Sequence, residues 1–188
     1  MRRVALWLAR MESADLFVTE MAALLHDVDD WKFAGGADQA HGRETVAWLF
    51  SLGVEPALAT RICEAIDDAS FKGAGVSTPA RSREAAVVQD ADRLDALGAI
   101  GIARAFAYGG ARNQPIHDPE RSPRMHRTFS EYKQGGGTSI NHFYEKLLLL
   151  PERMQTPAGR QLARERREVM KRFLENFCRE WDWVPPAA

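Results

Sequence analysis

The sequence predicts an all-α fold, a bundle of about six to eight helices. Apolar residues recur at intervals of three and four along almost the whole chain, and no segment sustains the alternation of a half-buried strand. Glycine and proline fall between the periodic stretches and divide the chain into separate helices.

Val4, Leu6, Trp7 and Leu8 mark a short first helix. Leu16, Phe17, Met21, Leu24 and Leu25 mark a second, which runs into His26 and Asp27 before the Gly35-Gly36 pair breaks the chain. A third helix covers Ala40 to Leu52 and stops at Gly53, a C-cap glycine. The fourth starts after Glu55-Pro56, carries Leu58, Ile62 and Ile66, and ends near Ser70. Lys72 to Arg83, with two glycines and a proline, reads as a loop. From Glu84 to Tyr108 the pattern is apolar on nearly all sides (Val87, Val88, Leu94, Leu97, Ile100, Ile102, Phe106), which predicts one central buried helix closed by Gly109-Gly110. Residues 110–138 read as an irregular segment, and so long a one inside a compact domain is usually functional or mobile. Asn141 to Leu150 and Pro157 to Trp181 are the C-terminal helices, with Pro151 and Pro157 as helix-start prolines, and Val184 to Ala188 is a frayed tail.

A chain of 188 residues can bury a real core but leaves little room for a second independent domain, so residues 1–188 are read as one domain, with or without an appended helical piece. Lys and Arg nearly balance Asp and Glu, for a formal net charge of -1, which argues against a nucleic-acid polymer or a membrane surface as partner. Cys63 and Cys178 form no cluster with ligand spacing and read as reduced, buried small hydrophobes. The apolar runs fall well short of a membrane span and no cleavage site follows the first of them, so a cytoplasmic location is expected. Trp7, Trp31, Trp48, Trp181 and Trp183 place some apolar area near the surface, which suggests a homodimer.

His26 and Asp27 end an apolar amphipathic helix, and Asp92 sits in the middle of the apolar stretch VVQDADRLDALGAIG. A buried carboxylate needs a partner of opposite charge, and a divalent cation is one such partner. An adjacent His and Asp can converge on one ion at a helix end, and mixed imidazole and carboxylate donors suit Mn, Fe, Co, Ni, Zn or, less well, Mg. The residues alone also allow His26 to cap its helix and Asp27 to pair with an Arg.

LLHDVDDWKF, the later block VVQDADRLDALGAIGIARAFAYGG, and then NHFYEKLL together resemble the bacterial HD-domain phosphohydrolases, most closely their nucleotide pyrophosphohydrolase branch. The resemblance runs from RRV at the start to FCREW at the end, and it implies the HD-domain helical bundle. In that family a first His, the His-Asp pair and a later Asp hold the metal. By position His26 and Asp27 match the pair, and Asp92 matches the last ligand. The first His of relatives lies in the pattern HxxRV, and Arg3-Val4 would put it just upstream of Met1. The expectation is a reading frame that starts further upstream; the alternative is a lost ligand. Ala69 stands where other branches place a further His, which implies one metal ion, with manganese the first choice.

The resemblance also supplies roles. Asp30 matches an acidic position that follows the pair in related nucleotidases and is assigned as general base or water-orienting group, the alternative being a solvated member of the DVDD run. Phosphate charge calls for cationic donors, and Arg3, Lys32, Lys72 and Arg93 fall in family-like strings. Asn141, His142, Tyr144 and Lys146 are candidates for the same cleft, with His142 and Lys146 on one helix face; Phe143 and Tyr144 read equally as core. Tyr108 and Asn113 are candidate base or ribose contacts. The implied reaction is cleavage of a nucleoside triphosphate to the monophosphate and pyrophosphate. The alternatives are a nucleoside monophosphate phosphatase on the same ligands and a nucleotide-binding protein whose catalysis has lapsed.

Overall fold

A computed structural model describes residues 1–28, 43–69, 77–125 and 137–183. In chain order the elements are α1 (Arg2–Met11), α2 (Leu16–Leu25), α3 (Arg43–Ser51), α4 (Pro56–Ala69), α5 (Arg83–Asp95), α6 (Gly98–Ala111), α7 (Ser139–Glu145), a 3-10 helix (Leu147–Arg153) and α8 (Pro157–Trp181). No strand occurs among the described residues, in agreement with the all-α prediction, and none of their helices is long and apolar enough to cross a membrane.

Most helix ends are set locally. The Asp15 side chain accepts from the backbone N–H groups of Phe17 and Val18 and so caps α2. Glu55 does the same for Ala57 and Leu58, with Pro56 in the first helical position of α4, where a missing N–H costs nothing. Ser82 Oγ accepts from Ala85 and starts α5, and Thr138 Oγ1 accepts from Asn141 and starts α7. The predicted C-cap at Gly53 is present as a Schellman turn: Gly53 has φ of 75°, Val54 N–H reaches Leu49 and Gly53 N–H reaches Phe50.

The described residues form two compact units, one of 1–28, 43–69, 77–94 and 154–160, the other of 95–125, 137–153 and 161–183. In the first, α2 packs on α1 and α4, and α3 packs on α4. Its core comprises Val18, Ala22, Leu49, Ala59, Ile62, Cys63, Ile66, Ala69, Ala85 and Val88. In the second, Phe106, Phe143, Phe173 and Phe177 form an aromatic cluster, with Phe143 stacked on Phe173 and Phe106 edge-on to Phe173. The Cys63 thiol is buried and the Cys178 thiol half-buried.

Three expectations need correction. The single helix Glu84–Tyr108 is two, α5 and α6, separated at Ala96-Leu97. Gly98 adopts φ of 73° there, and Gly101 lies so close to the Ala96 carbonyl that a Cβ would collide with it. Apolar periodicity continues across the break and hides it. The α6 half is also not buried all round: Ile100 is 67% exposed and Tyr108 56%. Finally, the helix expected over Asn141–Leu150 ends at Glu145 and continues as the 3-10 turn, with Pro151 inside that turn and not at a helix start. Pro157, by contrast, opens α8, and Thr156 Oγ1 caps it by accepting from Gly159.

The α2 cap carries a pH dependence. The backbone N–H of Val18, foremost, and the Arg61 guanidinium 3.1 Å away hold the Asp15 carboxyl below its ordinary pKa of 3.8, against a smaller effect of burial. A folded-state pKa below the unfolded one stabilises the fold fully above about pH 4, and that contribution is lost as the pH falls through the folded value. Asp15→Asn is therefore expected to flatten the acid limb of a stability-versus-pH curve measured by urea denaturation. An unchanged acid limb would assign the acid sensitivity to other groups.

Candidate metal centre

His26 is the C-cap of α2, one residue past the last helical position, where the chain leaves the helix and adjacent side chains can converge. Its Nδ1 stands 3.1 Å from the Ala23 carbonyl. A carbonyl can only accept, so Nδ1 carries the proton and Nε2 is left to face outward. Outward of Nε2 lie two carboxylates, Asp27 Oδ2 at 3.3 Å and Asp92 Oδ1 at 3.7 Å. The imidazole is largely covered at 16% exposure, whereas Asp27 is 63% and Asp92 38% exposed, so the cluster is open on the carboxylate side.

This donor set can be tested against a divalent cation. Donors bound to one transition-metal ion at about 2.0–2.2 Å stand roughly 3–3.5 Å from one another. The two spacings at His26 bracket the upper end of that range. Among the described residues no group of three or more His, Cys, Asp or Glu side chains is placed to hold an ion by itself. The chemistry of the donor set, one neutral imidazole nitrogen and two carboxylates, fits a borderline divalent ion.

From the sequence, Asp92 is the buried carboxylate expected in the apolar stretch. The buried one is Asp90, with no exposed surface, two residues earlier on α5. Asp90 Oδ1 accepts from Gln155 N–H at 2.8 Å, and Oδ2 accepts from Thr156 N–H at 2.8 Å and from the Thr156 hydroxyl at 2.7 Å. Burial pushes its carboxyl above the ordinary aspartate pKa, while these hydrogen bonds and the Arg93 charge pull it back. Gly159, in the first turn of α8, lies so close to Asp90 Oδ2 that a Cβ would collide with it. Replacing a helix-interior glycine by alanine ordinarily adds about 1 kcal/mol of stability. Gly159→Ala is expected to do the opposite and lower the melting temperature; a rise would contradict this packing.

The rest of α5 is committed as well. Gln89 Nε2 donates to the Asp68 and Thr78 carbonyls, and Arg93, at 2% exposure, donates from Nη2 to Thr78 Oγ1 at 2.7 Å. Arg93 thus ties down the segment entering α5. Arg3 is exposed on α1 in the same unit. Asp30, Lys32 and Lys72 lie outside the described residues.

The remaining sequence candidates belong to the second unit. Asn141 is buried on α7 and donates from Nδ2 to the Arg121 carbonyl, which fastens the irregular segment to the helix. Glu145 Oε1, accepting from Arg124 N–H, fastens it a second time. His142 and Lys146 are half-buried, and Phe143 is core. Tyr144 is exposed, with burial and then the nearby Cys178 raising its hydroxyl pKa. Asn113 has φ of 51° and forms the left-handed turn that ends α6, while Tyr108 lies under the Arg112 guanidinium at 5.0 Å. Trp7, Trp48, Trp181 and Trp183 are all exposed, as the sequence suggested, and Trp31 lies outside the described residues.

Comparison with known proteins bears on what the cluster is. The HD domain family matches residues 1–97, a span that takes in α1 to α5 and all three residues of the cluster. YpgQ of Bacillus subtilis is 36% identical over 175 residues, which are 93% of this chain and 77% of YpgQ. The crystal structure of YpgQ in complex with ADP matches at a TM-score of 0.74 and 33% identity, over 95% of this chain and 81% of that one. A structure from Lactobacillus plantarum matches at a TM-score of 0.85 and 43% identity, over 96% and 84%. An HD-superfamily hydrolase from Bacillus thuringiensis matches at 0.73 and 40%, over 96% and 82%. A family match across half of the chain, with relatives of this identity across nearly all of it, settles the assignment: the chain belongs to the HD domain family.

Proposed function

We propose that the chain is a metal-dependent phosphohydrolase that acts on nucleotides, converting a nucleoside triphosphate to the monophosphate and pyrophosphate. The observation that carries this reading is the His26 imidazole, with Nδ1 spent on a backbone carbonyl and Nε2 turned toward two partly exposed carboxylates. His26, Asp27 and Asp92 would hold one divalent ion, manganese by first choice. When bound, such an ion supplies Lewis acidity at a phosphoryl oxygen and a water acidic enough to attack near neutral pH. The His26 hydrogen bond to Ala23 fixes the ring and its tautomer, the office that a backbone carbonyl commonly performs behind a metal-ligating histidine. Asp30 would orient the attacking water or take its proton, and Lys32 and Arg93 would offset phosphate charge. Arg3, Lys72, Tyr108, Asn113, Asn141, His142, Tyr144 and Lys146 are assigned to substrate. The ADP complex of YpgQ supports a nucleotide as the ligand, and the hydrolase relative supports hydrolysis. The exposed tryptophans support a homodimer as the working assembly.

Incubation with nucleoside tri-, di- and monophosphates and with Mn, Mg, Co or Ni, followed by anion-exchange chromatography, tests the reading. Monophosphate and pyrophosphate from a triphosphate are the expected products. Orthophosphate from monophosphates would replace the pyrophosphohydrolase by a nucleotidase. Saturable nucleotide binding with no turnover under any metal would replace the enzyme by a binding protein.

A further inference from the structure

The fully buried Asp90 has no place in the chemistry proposed above, yet it is among the most heavily hydrogen-bonded side chains of its unit. The Gln155 N–H, the Thr156 N–H and the Thr156 hydroxyl donate to it at the entry to α8, and Gly159 leaves the space that lets the carboxylate sit there. Asp90 and Asp92 are two residues apart on one helix. At about 100° per residue their side chains leave α5 in nearly opposite directions. One points into the first turn of α8 and the other toward His26.

From this geometry we propose that Asp90 is a positioning residue for the candidate metal centre: by gripping the start of α8 it fixes the roll of α5 and hence the placement of the Asp92 carboxylate against His26. The inference rests on the metal reading of His26, Asp27 and Asp92. The leverage is simple. A carboxylate oxygen about 5–6 Å from the helix axis moves roughly 1 Å when the helix rolls by 10°. A ligand constellation tolerates about 0.5 Å. The Gln89 and Arg93 bonds to Thr78 hold a different side of α5, toward the segment that enters it. Asp90 holds the side opposite Asp92, where a lost contact gives roll most directly. Thr156 provides two of the three donors, so it shares the task.

The test is the manganese dissociation constant, read by electron paramagnetic resonance, for the full chain and for Asp90→Asn, Thr156→Val and Thr156→Ser. Leu150→Ala, a core truncation in the other unit, serves as a control for general loss of stability. Each is measured at a temperature where circular dichroism finds all of them folded. Asp90→Asn should bind manganese about tenfold or more weakly, the range seen when the support of a ligand is removed. Thr156→Val should show a smaller loss and Thr156→Ser, which keeps the hydroxyl, should bind nearly as the unaltered chain does. Leu150→Ala should melt lower yet keep its affinity. Should Asp90→Asn fail to fold, the contrast between Thr156→Val and Thr156→Ser decides alone. Unaltered affinity in folded Asp90→Asn and Thr156→Val, or an equal loss in Leu150→Ala, would overturn the positioning role and leave the metal reading intact. No binding by the unaltered chain would overturn the metal reading and the inference with it.

Discussion

Asp92→Ala is expected to lower kcat/KM for nucleotide hydrolysis at least about a thousandfold while the chain still folds. Its carboxylate is 38% exposed and lies 3.7 Å from His26 Nε2, so truncation removes a charged donor from a partly solvated position. The remaining His26 and Asp27 would form a two-donor site, too few to compete with water for a divalent ion. Asp92→Asn keeps the shape and loses the charge, and a nearly equal loss of activity is expected from it. Steady-state rates at saturating manganese, with melting curves alongside, check both. Activity within tenfold of the unaltered chain would remove Asp92 from the site.

The largest stability effect is expected at Asp90. Asp90→Ala strips acceptors from two backbone N–H groups and one hydroxyl at the start of α8, in a place without water access. Each orphaned donor costs about 1–3 kcal/mol, and the relief of no longer burying a carboxylate offsets part of the sum. A net loss of about 3 kcal/mol follows, equivalent to a fall of roughly 6–12 °C in melting temperature for a chain of this size. Asp90→Asn does not restore the pattern, because its amide group presents a donor to a donor. A fall of less than about 2 °C for the alanine variant, measured by calorimetry, would mean that solvent or a neighbour takes over the acceptor role.

What the sequence made legible follows from what is local. Pro56, Gly53 and Pro157 act within one turn of themselves, and each could be placed near a helix end from its neighbours alone. The break between α5 and α6 was not legible, because Leu94, Leu97 and Ile100 continue a helical spacing across it; only the pair Gly98 and Gly101 signalled a sharp turn. The site shows the same division. The His-Asp pair at the end of an apolar helix could be singled out, and the structure brings it together with Asp92. The reason given for Asp92 belonged to its neighbour. Burial runs round almost the whole of α5, over Ala85, Val87, Val88, Gln89, Asp90, Ala91, Arg93 and Leu94, so apolar spacing did not separate Asp90 from Asp92. Thr156, the partner of Asp90, is distant in sequence and had no signal beyond the helix-start proline beside it.

Whether His26, Asp27 and Asp92 hold a divalent ion is decided by titrating the chain with manganese and recording the pulsed electron paramagnetic resonance spectrum of the bound ion. A metal centre at these residues requires one ion per chain with nitrogen hyperfine coupling from an imidazole, lost in His26→Ala and in Asp92→Ala. Absence of a bound ion, or a nitrogen signal that survives both substitutions, would contradict it.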